Sequence, residues 1–342
     1  MVHDSHGNMH ETPKGIIQTF ARYLREKYAP IAVDATCIEV MAEVIRQNSP
    51  GSCAESLEQP ITLDELRAAL RKGGRNKAPG SDGIGLEFYT TNWEFINEDI
   101  HEIMNQILIQ RCITAQQKYG VIVCLPKSSA ALTPNEYRPI TLLKHRLQDP
   151  STHTGAPLTS GARTPPPDQS VLRRPRQFHR RGGVYSTRSN SPKPRWRTPR
   201  CVADAGLSVS IWYLFSILRN YGISPWFIER IKDLYENATA SVQLNGNLAG
   251  PIPIQCGIRQ GCPLSMLLYV LCLHPLLRIL EENLHGIQIG HCARSTVVVA
   301  YADDITVFVT DPTDFMIIHN AIKKYERASG ARLNPQKSKH WR

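Results

Sequence analysis

A long stretch in the middle of the chain limits what the rest of it can fold into. Residues 146–206 contain nine prolines, twelve serines or threonines, eleven arginines and no glutamate. Apolar residues recur there with neither the two-residue period of a strand nor the 3.6-residue period of a helix. So few apolar side chains cannot offset the conformational entropy that folding removes. We therefore predict that residues 146–206 have no packed core or regular structure, within a disordered segment bounded at 144–212.

The formal net charge of +10 is concentrated in the same stretch. Residues 146–206 carry 11 arginines and 1 lysine against 3 aspartates, a net charge of +9, and the remainder of the chain is nearly neutral. An arginine-rich linker of this kind would bind phosphates without sequence preference, and its affinity would fall steeply with salt. The excess charge therefore describes one segment rather than the surface of the whole protein.

Composition also constrains the compartment. The longest uninterrupted apolar run, Met266–Leu273, is too short to span a bilayer, and the N-terminus has no signal-peptide pattern. The nine cysteines are scattered without a C-x-x-C pair, which favours a reducing environment. We expect an intracellular protein, nuclear or cytoplasmic, that is neither secreted nor bound to a membrane. His3, His6 and His10 are expected to belong to a frayed polar tail rather than a metal site.

Helical spacing of apolar residues predicts several helices before and after this stretch. Thr62 and Glu65 form a capping-box pattern that begins one of them, and glycines at 73 and 74 end it. The other predicted helices cover Lys14–Tyr28, Cys37–Ile45, a stretch through about Ile109, Tyr213–Gly222 and Pro225–Tyr235. Short β-rich runs cover Tyr119–Leu125 and Ala240–Leu244, the second followed by an Asn245-Gly246 turn.

The sharpest local pattern is Thr296–Val309, in which two β-rich runs flank a pair of adjacent aspartates. This pattern predicts a β-hairpin with Asp303 and Asp304 at or beside its tip. Two adjacent carboxylates repel one another unless a cation compensates them, and Mg²⁺ prefers oxygen ligands of this kind. The alternative is an ordinary hairpin turn that faces solvent.

A second pattern is the glycine-bearing loop Gly257-Ile-Arg-Gln-Gly-Cys-Pro-Leu-Ser265, which runs into an apolar helix predicted over Met266–Leu280. Glycines allow a backbone to approach a ligand closely, and the Gln260 amide can both donate and accept hydrogen bonds at a base edge or sugar. An ordinary loop and helix start is the alternative.

Together these motifs resemble the reverse transcriptases of non-LTR (LINE-type) retrotransposons. The loop and the Tyr301-Ala-Asp-Asp304 hairpin resemble the family's motifs B and C. Lys77–Gly83 and Arg138-Pro-Ile140 resemble its finger motifs, and Gly330–Lys337 resembles motif D. The resemblance covers residues 60–143 and 213–339 in the family's order.

The resemblance implies an α+β fold of the right-hand polymerase type, with an antiparallel palm sheet backed by helices. It implies an N-terminal helical linker at 1–60, fingers at 61–143 and a palm at 213–342, with the thumb largely missing, so we expect a fragment of a longer polyprotein. The implied activity is RNA-directed DNA synthesis from an RNA template, a DNA primer and dNTPs. The implied metal ligands are Asp303 and Asp304, for Mg²⁺ or Mn²⁺. The other implied site residues are Lys337 as a proton donor, and Lys77, Arg138, Gln260, Gly261 and Tyr301 at the nucleotide and template.

The sequence departs from the family at motif A, the strand that carries a third metal-binding aspartate. No such string is present, and Asp204 lacks the flanking pattern. Codons exist for 148–157, 169–179 and 200–212 that, read one nucleotide later, spell family-like sequence, including L-T-L-D-F-Q-S-A-F for motif A. We therefore interpret residues 146–206 as an out-of-frame translation and expect the chain to be inactive. The alternatives are an evolved basic linker and, for function, a catalytically dead nucleic-acid-binding remnant.

Overall fold

The computed structural model describes residues 1–48, 57–73, 77–144, 198–202, 209–288, 295–301, 304–333 and 339–341. The helices in these ranges are α1 Pro13–Lys27, α2 Ala35–Asn48, α3 Leu63–Lys72, α4 Leu86–Thr91, α5 Trp93–Gln110, α6 Ala115–Lys118, α7 Ile211–Asn220, α8 Pro225–Tyr235, α9 Pro263–Asn283 and α10 Asp314–Ser329. The strands are β1 Val2–His3, β2 Met9–His10, β3 Gly120–Pro126, β4 Tyr137–Leu142, β5 Thr198–Val202, β6 Thr239–Leu244, β7 Asn247–Pro253, β8 Val298–Tyr301, β9 Asp304–Val307 and β10 Lys339–Trp341. This mixture of helices and sheets confirms the α+β class.

The predicted helix boundaries follow from capping residues. Thr62 and Glu65 form the predicted reciprocal capping box at the start of α3, where the Thr62 amide donates to the Glu65 carboxylate at 2.9 Å. Ser224 caps α8 by accepting from the Phe227 amide, and Pro225 occupies its first turn. These contacts lie within four residues in the sequence, which is why the pattern alone located them.

The first four-stranded sheet has the strand order β4-β3-β6-β7. β3 pairs antiparallel with β4 and parallel with β6, whereas β6 and β7 form an antiparallel hairpin. The predicted turn at Asn245 and Gly246 closes this hairpin with positive φ at both residues, 47° and 78°. The sheet therefore combines strands from the two predicted regions 61–143 and 213–342.

The second four-stranded sheet has the order β10-β5-β9-β8, and every neighbouring pair is antiparallel. The hairpin of β8 and β9 shares one core with α7, α8, α9 and α10, in which Leu268, Ala300 and Ile305 are buried. β5 corrects the prediction that residues 146–206 lack regular structure, because Thr198–Val202 is a strand between β10 and β9. α7 likewise begins at Ile211, inside the segment bounded at 144–212.

The N-terminal segment is packed, and the expectation of a frayed tail is wrong. β1 pairs antiparallel with β2, and the buried Asp4 carboxylate accepts hydrogen bonds from the His6 and Asn8 amides and lies 3.2 Å from His10 Nε2. These hydrogen bonds, led by that from His10, hold the pKa of Asp4 well below its usual range. α1 packs on the first sheet and α2 on α7 and α10, so residues 1–48 contribute side chains to both cores.

One described helix, α9, is long and apolar enough to cross a membrane by length and composition. Over half of its window Leu264–Asn283, 56%, is buried inside the protein, as in a core helix. Leu268, Tyr269, Cys272 and Leu273 all contribute to the main core. The helix is therefore accounted for by packing within this chain.

Candidate polymerase site

The predicted hairpin of Thr296–Val309 is confirmed. β8 and β9 pair antiparallel from Val298 opposite Val307 to Tyr301 opposite Asp304, so only residues 302 and 303 connect them. Asp304 is the first residue of β9 and is partly buried, whereas Tyr301 is half exposed. Val298, Ala300, Ile305 and Val307 are buried in the core. Strand alternation therefore assigns Asp304 and Thr306 to the opposite face.

On its other side, β9 is paired with β5, and Asp304 lies opposite Val202. The five residues of β5 are Thr-Pro-Arg-Cys-Val, none of which has a carboxylate side chain. In the parts of the chain that the structure describes, no group of three or more His, Cys, Asp or Glu side chains could hold a metal ion. Asp304 is therefore the described carboxylate at this hairpin, next to Asp303, which lies outside the described residues.

The loop at 257–265 is held from both ends by main-chain contacts. The Gly257 amide donates to the Val209 carbonyl at 3.0 Å, directly before α7. At the other end, the Ser265 hydroxyl donates a hydrogen bond to the Arg259 carbonyl at 2.7 Å. The Cys262 amide donates to the same carbonyl at 3.2 Å. α9 begins at Pro263, three residues before the predicted start, because proline favours the first turn of a helix.

Arg259 anchors this loop to the body of the protein. Its side chain is only 4% exposed, and its guanidinium donates to the Lys118 carbonyl at 3.1 Å and to the Leu234 carbonyl. The guanidinium also lies over the Tyr235 ring, 5.2 Å from its centroid. Burial raises the pKa of the Tyr235 phenol far above its usual value, so the ring stays neutral beside the cation. One side chain thus connects the loop to the ends of α6 and α8.

The loop also contacts the edge strand β4 of the first sheet. The Thr141 amide donates to the Gln260 carbonyl at 2.7 Å. Gly261 follows with φ +114°, and a Cβ added there would lie 2.2 Å from the Thr141 carbonyl oxygen. Only glycine allows this approach, so the geometry explains why glycine occupies position 261. The Gln260 side chain itself is partly buried beside this contact.

β4 also connects this loop to the two predicted basic residues. Arg138 is exposed on β4, three residues before Thr141, and pairs with Leu125 of β3. The Lys77–Gly83 loop packs at the far end of β4, since a Cβ added to Gly80 would lie 2.7 Å from the backbone of Leu143 and Lys144. Lys77 is exposed on this loop. Three predicted motifs therefore meet along a single strand.

Comparison with known proteins identifies this arrangement. The model of the family described as reverse transcriptase (RNA-dependent DNA polymerase) matches residues 125–342, more than half of the chain. The chain belongs to the reverse transcriptase family. It is also 32% identical over 292 residues to the "Transposon TX1 uncharacterized 149 kDa protein" of Xenopus laevis, over 83% of this chain and 22% of that protein. The "Retrovirus-related Pol polyprotein from type-2 retrotransposable element R2DM" of Drosophila melanogaster is 26% identical over 309 residues, which cover 86% of this chain and 28% of that protein.

These matches confirm the predicted reverse transcriptase domain of the non-LTR type. The chain spans about a quarter of the length of the two curated relatives that it matches. Reverse transcriptases as a family bind a nucleic-acid template and a nucleotide substrate and use divalent metal ions. The hairpin and the loop both lie within the residues that the family model matches.

Two of the predicted site residues, Asp303 and Lys337, lie outside the described residues. So does Asp204, the aspartate that lacks the motif A pattern. The described part of motif D is a turn after α10, where Gly330 has φ +77° and the Leu333 amide donates to the Glu326 carboxylate at 2.7 Å. Sequence reasoning missed Arg259 and Thr141. The carbonyl partners of Arg259, Lys118 and Leu234, are distant in the sequence, so no local pattern marks its anchoring contacts. Thr141 acts through its backbone, for which a side-chain pattern gives no signal.

Proposed function

We propose that this chain is the fingers and palm part of a retrotransposon reverse transcriptase that binds an RNA template and a DNA primer but, with this sequence, does not extend the primer. The observation that carries the proposal is the pairing of β9 with β5, in which Val202 lies opposite Asp304. The fingers comprise residues 61–143 together with the β6–β7 hairpin, which pairs with β3. The palm comprises the remaining part of 213–342.

The template and the incoming dNTP would contact the residues gathered along β4. Lys77 and Arg138 are exposed and suit the phosphates of the template or nucleotide. Gln260 and Gly261 lie against Thr141, which fixes the path of the loop backbone. Tyr301 is half exposed next to Asp304, where its ring can support the primer end. The proposed binding groups are thus two basic side chains, the loop backbone held by β4, and the exposed ring beside Asp304.

Mg²⁺, or Mn²⁺ in its place, fits the hairpin only in part. Asp303 and Asp304 would hold it, because hard carboxylate oxygens are the ligands that these ions prefer. When bound, such ions stabilise charge on the transferring phosphate and activate the attacking hydroxyl. Lys337 would protonate the leaving pyrophosphate. Two adjacent carboxylates on one hairpin leave the rest of the coordination to water and substrate.

The missing third carboxylate is why we expect no catalysis. Family members hold two ions with aspartates from two strands, and β5, the strand beside Asp304, contains no acidic residue. Losing one of the carboxylates that would hold the ions would cost several kcal/mol in the transition state, and each ~1.36 kcal/mol is a tenfold loss in rate. The out-of-frame interpretation of residues 146–206 explains the loss, and the nucleotide sequence of that region tests it.

Primer extension tests the proposed inactivity. We expect no extended product from a labelled DNA primer on an RNA template, with dNTPs and either Mg²⁺ or Mn²⁺. A positive reference is an active reverse transcriptase of the same family assayed in the same buffer. Extension by this chain that is abolished in Asp303→Asn would refute the proposal, and Asp204→Asn would then identify the replacement ligand.

Template binding tests the other half of the proposal independently of chemistry. Fluorescence anisotropy with an RNA–DNA primer–template should show binding that weakens at least about threefold in Lys77→Ala and in Arg138→Ala, since each removes a phosphate contact. Arg219→Ala is the matched control, because Arg219 is exposed on α7 and outside the site. Equal losses in all three variants would indicate non-specific charge attraction and contradict the assigned site.

A further inference from the structure

α5 presents an unusual outer face for a protein that binds nucleic acid. The helix buries Trp93, Ile100, Met104 and Leu108 against α3 and α4, and Ile107 is also buried. The opposite side consists of Phe95, Glu98, Asp99, Glu102, Ile103 and Ile109, which we call the acidic–aromatic face. Their spacing follows the helical period, so these six side chains lie along one side of the helix.

The charge on this helix has one sign. Its four acidic residues are Glu94, Glu98, Asp99 and Glu102, and it contains neither lysine nor arginine. His101 points inward, with Nε2 at 2.7 Å from the Ile61 carbonyl. Glu94 is paired with Arg67 at 3.1 Å, whereas the other three carboxylates lie on the exposed face. A surface of this charge repels phosphates and cannot be a template-binding surface.

The same face exposes large apolar side chains. Phe95 is 86% exposed and Ile109 66% exposed, with Ile103 between them at 37%. Phe88, on the preceding helix α4, is 49% exposed. Exposed single apolar residues are common, but three along one side of one helix, bordered by carboxylates, are typical of a protein-binding surface.

We propose that the acidic–aromatic face binds a basic amphipathic helix of a partner protein. Leucine-like side chains of the partner would cover Phe95, Ile103 and Ile109, and its lysines or arginines would pair with Glu98, Asp99 and Glu102. Charge complementarity selects this partner over the other candidates. A nucleic acid is repelled, and a second copy of this chain would bring carboxylates against carboxylates if the same face met itself.

Peptide binding to the intact chain tests the proposal. The probe is a labelled 18-residue helical peptide of leucine and lysine with leucine at every third or fourth position, measured by anisotropy with nucleic-acid-free protein. Two controls lack the apolar stripe: a scrambled peptide of the same composition and charge, and a shorter basic peptide, residues 171–181 of this chain, which carries five arginines. We expect saturable binding of the amphipathic peptide, with the controls at least about tenfold weaker.

Variants of the face locate the binding. Phe95→Ala should weaken the amphipathic peptide about tenfold or more, as for a central aromatic anchor. The double variant Glu98→Lys with Asp99→Lys should weaken it similarly and flatten its salt dependence. Met316→Ala is the matched control, because Met316 is 65% exposed on α10, away from this face. All of these side chains are exposed, so the thermal stability of the variants should equal that of the unmodified chain.

Several results would overturn the proposal. They are the absence of saturable binding, equal affinity for either control peptide, or the same loss in Met316→Ala as in Phe95→Ala. Sedimentation showing self-association that Phe95→Ala abolishes would instead assign the face to a second copy. None of these outcomes depends on primer extension or template binding, so the proposed function and this proposal fail separately.

Discussion

Replacing Gly261 by alanine isolates the contact that joins the loop to β4. Two separate costs are expected. The first is conformational, because φ is +114° at this position and such backbone angles cost non-glycine residues about 1–3 kcal/mol. The second is steric, because the new Cβ would lie 2.2 Å from the Thr141 carbonyl oxygen. Ordinary contact is roughly 3.4 Å or more, so the loop or β4 must move by about 1 Å.

That movement has a further consequence. The hydrogen bond from the Thr141 amide to the Gln260 carbonyl, now 2.7 Å long, would be stretched or broken. A buried amide left without its acceptor costs about 1–3 kcal/mol. The total expected loss is therefore about 2–6 kcal/mol in the free energy of unfolding, measured by urea denaturation. Hydrogen exchange of the Thr141 amide should accelerate at the same time.

Gly246→Ala is the matched control for this experiment. Gly246 has φ +78° in the β6–β7 turn, but nothing lies within 4 Å of where its Cβ would be. Gly246→Ala should therefore lower the free energy of unfolding only by the conformational cost, about 1–2 kcal/mol. If Gly261→Ala and Gly246→Ala lose the same stability, the close approach to Thr141 contributes nothing, and the reasoning that places Gln260 against β4 is refuted.

Two further predictions concern buried polar groups. Arg259→Met should lower the unfolding free energy by about 3 kcal/mol, because the Lys118 and Leu234 carbonyls lose their hydrogen-bond donor. Arg259→Lys should recover part of this loss. An unfolding free energy of Arg259→Met within about 0.5 kcal/mol of that of the unmodified chain, which is about the error of such a comparison, would contradict the anchoring role. The Tyr221 hydroxyl lies 2.5 Å from Nδ1 of His274, and burial lowers the pKa of His274 from 6.5 to about 4. As the pH falls, His274 takes up a proton in the unfolded chain before it does so in the folded protein. The contribution of neutral His274 to folding stability is therefore fully present above pH 6.5 and falls by roughly 2–3 kcal/mol between pH 6.5 and about 4. Unfolding measured across that range should depend less on pH in His274→Gln; an unchanged dependence would show that His274 titrates normally.

Local features of the fold were predictable from the sequence. The capping box of Thr62 and Glu65, the helix from Pro225 to Tyr235 and the turn at Asn245–Gly246 depend on residues a few positions apart. The Tyr301–Asp304 hairpin was predictable for the same reason, since strand alternation and a tight polar turn are both local. The loop before α9 was recognisable as a motif, although not its contacts.

Other features were decided by tertiary structure. Nothing in Thr198–Val202 predicts a strand, because proline and arginine in a basic, proline-rich stretch favour disorder. This segment forms a strand between β9 and β10 because the edge strands of the assembled sheet offer it unpaired main-chain groups. The parallel pairing of β3 with β6 and the packing of residues 1–48 likewise join parts of the chain far apart in sequence.

The candidate site likewise has features that the sequence predicts and features that only tertiary contacts decide. The sequence by itself determined which residues have the chemistry: the carboxylates of Asp303 and Asp304, the Gln260 amide and the basic side chains of Lys77 and Arg138. Only the tertiary structure decided which of them meet, because Thr141 bonds Gln260 through its backbone and Arg259 is buried by elements up to 141 residues away. Side-chain chemistry is carried by each residue alone, whereas burial and main-chain pairing depend on distant neighbours that no local pattern encodes.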